Sequence, residues 1–243
     1  MIESRFYHSI QLDIVKGEGR QICYILLPSG LREDFLKWMS ANEGKYPGSF
    51  VAMSGMDWND TMTPWPADGV MKKEKPFGGH AQRFLRALKE DYFYQTEADL
   101  GIRQAERTLV GISLSGLFAI WACLQSPLFT RVACISGSLW YEGFKDWVSK
   151  LTISDGPLKI YMSLGTKEAS TKDKRMSSVE ACTKAIVESL KAAGLDIDYQ
   201  SEFAVSHFSP IGPRLTNALD SLFPAPESPQ DNPAAETSQD SAA

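Results

Sequence analysis

Ser113 stands at the centre of Gly111-Ile112-Ser113-Leu114-Ser115-Gly116, which follows the run Arg107-Thr108-Leu109-Val110 and precedes Leu117-Phe118-Ala119-Ile120-Trp121-Ala122. The pattern reads as a strand, a sharp turn and a helix, with a serine at the apex. Small residues two before and two after such a serine let strand and helix nearly touch, the arrangement that strains the serine backbone and presents its hydroxyl as a nucleophile. Gly111 and Ser115 hold those positions, Ser115 where a glycine is usual. Two other uses of the same residues compete. A tightly packed crossover needs small residues with no chemistry attached, and a helix start attracts phosphate. The phosphate reading is the weaker one, because neither G-x-G-x-x-G nor G-x-x-x-x-G-K is present.

A serine alcohol is a poor nucleophile until a neutral imidazole accepts its hydrogen bond. On an elbow of this kind the partners follow in the chain order Ser, Asp/Glu, His, each after a strand. Of the three histidines, His8 lies in a first-strand pattern and His80 opens a helix, whereas His207 follows four residues after Phe203, at the end of the last apolar strand pattern. The acid has three candidates after one strand, Glu168, Asp173 and Glu180, and Glu168 is preferred because it lies nearest the strand that ends at Leu164. An oxyanion formed by attack on a carbonyl would be met by the N–H of Leu114 and by an N–H of Gly30 or Leu31, in the loop after the second strand.

These groups need elements to carry them. Apolar patterning predicts strands near 7–15, 20–27, 49–53, 107–110, 131–135, 158–164 and 196–203, with helices near 31–41, 80–96, 142–150, 177–193 and 213–222 and one after the elbow that carries the run Leu117–Ala122. Gly194 closes the helix before it as a C′ residue. Strands alternating with crossover helices imply an α/β fold with a mostly parallel, doubly wound sheet, its first strands antiparallel to the rest. Sites on such a sheet form outside the carboxyl ends of the strands, where the loops bearing Ser113, Glu168 and His207 must emerge. The loop from Ser54 to Gly79 is longer than compact domains carry without a purpose.

With 243 residues and 43% apolar content, the chain can bury one large core as a single catalytic domain over residues 1–223. From Pro224 to Ala243, Pro, Ala, Ser and acids dominate, and a disordered acidic tail is expected. The net charge is −5, and the tail's four acids with no Lys or Arg leave −1 for the remainder, so no nucleic-acid surface is indicated. No window approaches 18 apolar residues and the N-terminus is polar, which argues against a membrane span or signal peptide and for a cytoplasmic address. Cys23, Cys123, Cys134 and Cys182 sit in apolar stretches without C-x-x-C spacing and read as buried reduced thiols. No H-x-x-x-H pattern or cysteine pair suggests a metal, and no cofactor motif is present.

Four segments together carry a resemblance: Trp58-Asn59-Asp60-Thr61-Met62-Thr63-Pro64-Trp65-Pro66, Pro76-Phe77-Gly78-Gly79, Gly111 to Ala119, and Ser136-Gly137-Ser138-Leu139-Trp140-Tyr141. Over about residues 7–222 the chain resembles the "Putative esterase" family of α/β-hydrolases, which is similar to enterochelin (siderophore) esterases, feruloyl esterases and esterase D. The resemblance implies an α/β-hydrolase fold, with Ser113 as nucleophile. It matches His207, in Ser206-His207-Phe208, to a G-G-H-x-F histidine without its glycines, and Gly165-Thr166-Lys167-Glu168 to a G-x-x-Asp/Glu acid position. Siderophore-cleaving members tend to carry an arginine before the T-P motif. Trp58 to Thr61 contains none, which weighs against an anionic catecholate substrate.

The expected activity is therefore hydrolysis of a soluble short-chain or aromatic ester through an acyl-enzyme, with the small ester as the only implied partner. Trp58, Trp65 and Trp140 follow strands on the edge that carries Ser113 and are expected to wall its cleft. An acyltransferase, a siderophore esterase and a catalytically silent binding protein are the alternatives.

Overall fold

The computed structural model describes residues 1–70, 75–152 and 159–224. Eight strands form one sheet in the order β1-β2-β4-β3-β5-β6-β7-β8: β1 (Ile2–Tyr7), β2 (Ile10–Val15), β3 (Gln21–Leu26), β4 (Ser49–Ser54), β5 (Glu106–Ile112), β6 (Arg131–Ile135), β7 (Lys159–Gly165) and β8 (Ile197–Glu202). From β4 to β8 every pairing is parallel. Parallel strands are covered on both faces, which is why β3 to β7 are near-continuous apolar runs.

Side-chain alternation divides those runs between two cores. Ile22, Tyr24 and Leu26 of β3 join the core under α3 (Ala81–Ala87), α4 (Phe93–Leu100), α5 (Leu114–Gln125), α6 (Phe144–Val148) and α7 (Val179–Ala192). Cys23 and Ile25 of the same strand, with Leu27 just beyond its end, face α1 (Arg32–Ala41) and α8 (Ile211–Leu222) instead. Helix α5 is buried from Leu114 through Cys123. An all-round apolar helix belongs inside the molecule, and this one directly follows the elbow.

The expected first strand at 7–15 is in fact a hairpin, β1 and β2 joined by a turn at His8, whose φ is 51°. The polar residues Glu3, Ser4 and Arg5 hide an edge strand, which needs no apolar run because one side of it meets solvent. Only β2 runs against the rest of the sheet, since β1 reverses direction again. The helix expected over 80–96 continues to Leu100 through a π-helical turn at Leu88–Tyr92, and Gly101 closes it at φ 71°. Helix α8 begins two residues before Pro213, because a proline in the first turn sacrifices no helical hydrogen bond. Gly194 ends α7 at φ 86° as expected.

The long loop after β4 is a packed structure. It contains α2 (Trp58–Thr61) and an antiparallel bridge between Ala67 and Phe77. Tyr141 donates its hydroxyl to the Trp65 carbonyl at 2.5 Å, and the Trp65 indole donates to the Glu142 carbonyl at 2.9 Å. The four cysteines are free; three are buried, and Cys182 is half-buried. No helix among the described residues is long and apolar enough to cross a membrane, and no cluster of metal-ligating side chains occurs among them. The expected tail beyond Pro224 lies outside the described residues.

Candidate active site

Ser113 sits between β5 and α5 at φ 60° and ψ −121°, a left-handed conformation that costs a non-glycine residue about 1–3 kcal/mol. The surrounding packing enforces it. A Cβ on Gly111 would stand 2.0 Å from the Ser115 carbonyl oxygen and 2.7 Å from the Gly116 nitrogen, so only glycine fits there. Ser115 has its own function in the turn. Its fully buried hydroxyl accepts the Ile112 N–H at 2.8 Å and donates to the Leu26 carbonyl at 2.8 Å, binding the elbow to the end of β3. A glycine at that position would lack both bonds.

Adjacent parallel strands bring the other groups to the same edge. The Ser113 hydroxyl lies 3.0 Å from His207 Nε2, and His207 Nδ1 lies 2.9 Å from Glu168 Oε2. Glu168 follows β7 and His207 follows β8. The carboxylate side chain is 3% exposed and the imidazole 31%. Burial alone would raise the Glu168 pKa, but hydrogen bonds from His207, from the Ser136 hydroxyl and from the Gly165 N–H outweigh it and hold the carboxyl below its ordinary value. An ionised carboxylate only accepts, so Nδ1 carries the proton and Nε2 offers its lone pair to the serine hydroxyl.

The remaining acid candidates have other partners. Asp173 accepts the backbone N–H groups of Arg175 and Met176, each at 2.9 Å, and so caps the turn before α7. Glu180 pairs with Lys184 at 2.6 Å in solvent. His80 pairs with Asp60 at 2.9 Å, and His8 packs edge-on to Tyr7 and Tyr92.

The Leu114 N–H opens α5 and has no partner among the described residues, so it is free to meet an oxyanion. Leu31 does not match its expected role. Its N–H donates to the Pro28 carbonyl at 2.9 Å in the short 3-10 turn Ser29–Leu31, which leaves the exposed Ser29 and Gly30 N–H groups without a partner among the described residues.

A cavity of about 90 Å³ adjoins the serine, lined by Ser113, Ser138, Trp140, Met176, Val179 and His207 among others. Of the three tryptophans expected to wall it, only Trp140 does. Trp65 packs against Tyr141, Phe144 and Trp147, and Trp58 packs on the core at the start of α2, so both brace the loop without reaching the cavity. Sequence patterning does not single out Met176, Val179 or Arg214 as site residues, and Ser136, though it opens the Ser136–Tyr141 segment of the resemblance, has no role assigned from it. Their signal was weak: Ser136-Gly137-Ser138 directly follows β6, and Arg214 falls three residues after Ile211 and four before Ala218 on the apolar stripe of α8.

A strained serine between strand and helix, an imidazole after the last strand and a buried acid after the strand before it, on this eight-stranded sheet, define an α/β-hydrolase. Residues 38–222 match the family described as "Putative esterase". The chain belongs to that family and is a carboxylic ester hydrolase. Among curated proteins it is 28% identical over 171 residues to "Uncharacterized protein YbbA" of Bacillus subtilis, covering 68% of each chain. Among solved structures it is similar to an IroE-like serine hydrolase from Shewanella oneidensis, with a TM-score of 0.73, 19% identity and coverage of 92% of this chain and 80% of that one. It is also similar to the siderophore hydrolase EstA from Aspergillus nidulans, with a TM-score of 0.70, 18% identity and coverage of 91% and 93%.

Proposed function

We propose that this esterase works through an acyl-enzyme on Ser113. His207 Nε2 takes the Ser113 proton as Oγ attacks the ester carbonyl carbon, and the charge moves to the carbonyl oxygen, facing the N–H groups of Leu114 and Gly30. Collapse of the adduct breaks the bond to the alcohol oxygen, which leaves with the proton from Nε2. Water then attacks the acyl-enzyme, giving its proton to His207, and the acid departs as Ser113 Oγ recovers that proton. Glu168 stays ionised and stabilises the imidazolium. The single observation that carries this reading is the continuous line from Ser113 Oγ through His207 to Glu168, with links of 3.0 and 2.9 Å.

The substrate proposed is a soluble ester with a short or aromatic acyl group. Drug-sized ligands occupy about 300–1,000 Å³, against about 90 Å³ beside Ser113. Trp140, Met176 and Val179 give that space an apolar lining, and the lack of an arginine in Trp58–Thr61, where siderophore-cleaving members tend to carry one, weighs against an anionic group. The four free thiols support a reducing, cytoplasmic setting. A panel of activated esters from acetyl to palmitoyl, with benzoyl, feruloyl and catechoyl esters, tests the reading by kcat/KM. Acetyl, butyryl or benzoyl is expected to lead. Preference for palmitoyl would refute it, and preference for catechoyl would move the assignment to a siderophore-type ester.

A further inference from the structure

Arg214 is 3% exposed, on the face of α8 that carries Ile211, Leu215, Ala218, Leu219 and Leu222 into the core. A buried arginine persists only where its charge and its fork of donors are matched. Here the fork is divided between two strand ends. Nε donates to Glu202 Oε2 at 2.7 Å, at the end of β8. One terminal nitrogen donates to the Ser136 hydroxyl, just beyond β6, and approaches Glu168 Oε1 at 3.4 Å. Ser136 in turn donates to Glu168 Oε1. Its φ of 49° is again left-handed, so the backbone is strained where its hydroxyl meets both partners.

We propose that Arg214, with Glu202 as its counter-charge, is a positioning residue that fixes Glu168 through Ser136 and sets the charge His207 meets when it takes the serine proton. This rests on the catalytic assignment above. Oε1 of Glu168 is held by Ser136, Arg214 and the Gly165 N–H, which leaves Oε2 aimed at Nδ1. The buried charges are two carboxylates and one guanidinium, a net of one negative charge, and the imidazolium formed during attack balances it. The other titratable groups facing the cluster are Cys134 on β6, Tyr161 on β7, and Asp198 and Tyr199 on β8, with the Glu180–Lys184 pair of α7 beyond Tyr199. Burial raises Cys134 and Tyr161 to about 12 and raises Tyr199, so all three stay neutral while the enzyme works.

The test is the pH profile of kcat/KM on p-nitrophenyl acetate for wild type, Glu202→Gln and the double variant Arg214→Met with Glu202→Gln. Glu202→Gln removes one negative charge and is expected to shift the acid limb to lower pH by about one unit. The double variant keeps the net charge and strands no buried ion. Its acid limb is therefore expected near that of wild type, with kcat reduced about tenfold to hundredfold by misplacement of the carboxylate and KM unchanged. Arg214→Met alone, leaving two carboxylates, is expected to move the limb upward. An unmoved limb in Glu202→Gln, or wild-type kcat in the folded double variant, overturns the proposal. Ser113→Ala run alongside separates the two readings: residual hydrolysis there refutes the catalytic assignment and the role of Arg214 with it, whereas an unmoved limb in Glu202→Gln beside an inactive Ser113→Ala refutes the role of Arg214 alone.

Discussion

Replacing Glu168 by glutamine tests the wiring of the site with almost no change in shape. Three donors converge on Oε1: the Gly165 N–H at 2.8 Å, the Ser136 hydroxyl and Arg214 at 3.4 Å. The amide oxygen must take that place, because an NH2 group there would face three donors. The NH2 group is then turned to His207 Nδ1, where the carboxylate now accepts at 2.9 Å. A donor at that position forces Nδ1 to accept and moves the imidazole proton to Nε2, which faces Ser113 and can no longer take the serine proton. Wrong-tautomer substitutions of this kind cost about 10⁴-fold in kcat, equivalent to about 5.5 kcal/mol of transition-state stabilisation. Stopped-flow and steady-state hydrolysis of p-nitrophenyl acetate would measure it, with the thermal melt as a check on folding. A folded Glu168→Gln enzyme within tenfold of wild type would show that the carboxylate does not set the tautomer.

Three further outcomes are expected. Ser115→Ala removes a fully buried hydroxyl bonded to Ile112 and Leu26, so it costs about 1–3 kcal/mol of stability by denaturant melt while hydrolysis survives; loss of activity without loss of stability would make Ser115 the reacting serine. Glu168 has a folded pKa below its ordinary 4.5, so the stability it contributes is present above that pH and is lost as the pH falls through the lower folded value. The gap in melting temperature between wild type and Glu168→Gln should therefore narrow on acidification below pH 4.5, and a constant gap would contradict the direction of the shift. Trp140→Ala opens the cavity beside Ser113, and the kcat/KM ratio of hexanoyl to acetyl esters should rise about tenfold; an unchanged ratio would remove Trp140 from the acyl site.

Ser113 and His207 were legible in the sequence because the constraints on them are local or topological. A glycine that must lie 2.0 Å from a backbone oxygen once given a Cβ leaves its mark in the hexapeptide, and the order of parallel strands puts the histidine loop beside it. The acid was legible only as one of three, since Asp173 and Glu180 are disqualified by partners, a turn backbone and Lys184, that no spacing reveals. Arg214 was obscured for the same reason: charge in an amphipathic helix ordinarily marks the solvent face, and only its register with Ile211 and Ala218 hints otherwise. For Trp58 and Trp65, composition indicates an aromatic loop without saying whether the rings line a cleft or brace the loop. Strand β1 escaped notice because an edge strand buries too little to carry an apolar pattern.

A single serine, Ser113, is proposed to form the covalent intermediate, and labelling with a fluorophosphonate followed by intact mass and peptide mapping tests this without any assumption about the substrate. One adduct per chain is expected, on Ser113, formed by wild type, slowed by orders of magnitude in His207→Ala, and absent together with ester hydrolysis in Ser113→Ala. Labelling of Ser115, Ser136 or Ser138 in place of Ser113, or hydrolysis that survives Ser113→Ala, would contradict it.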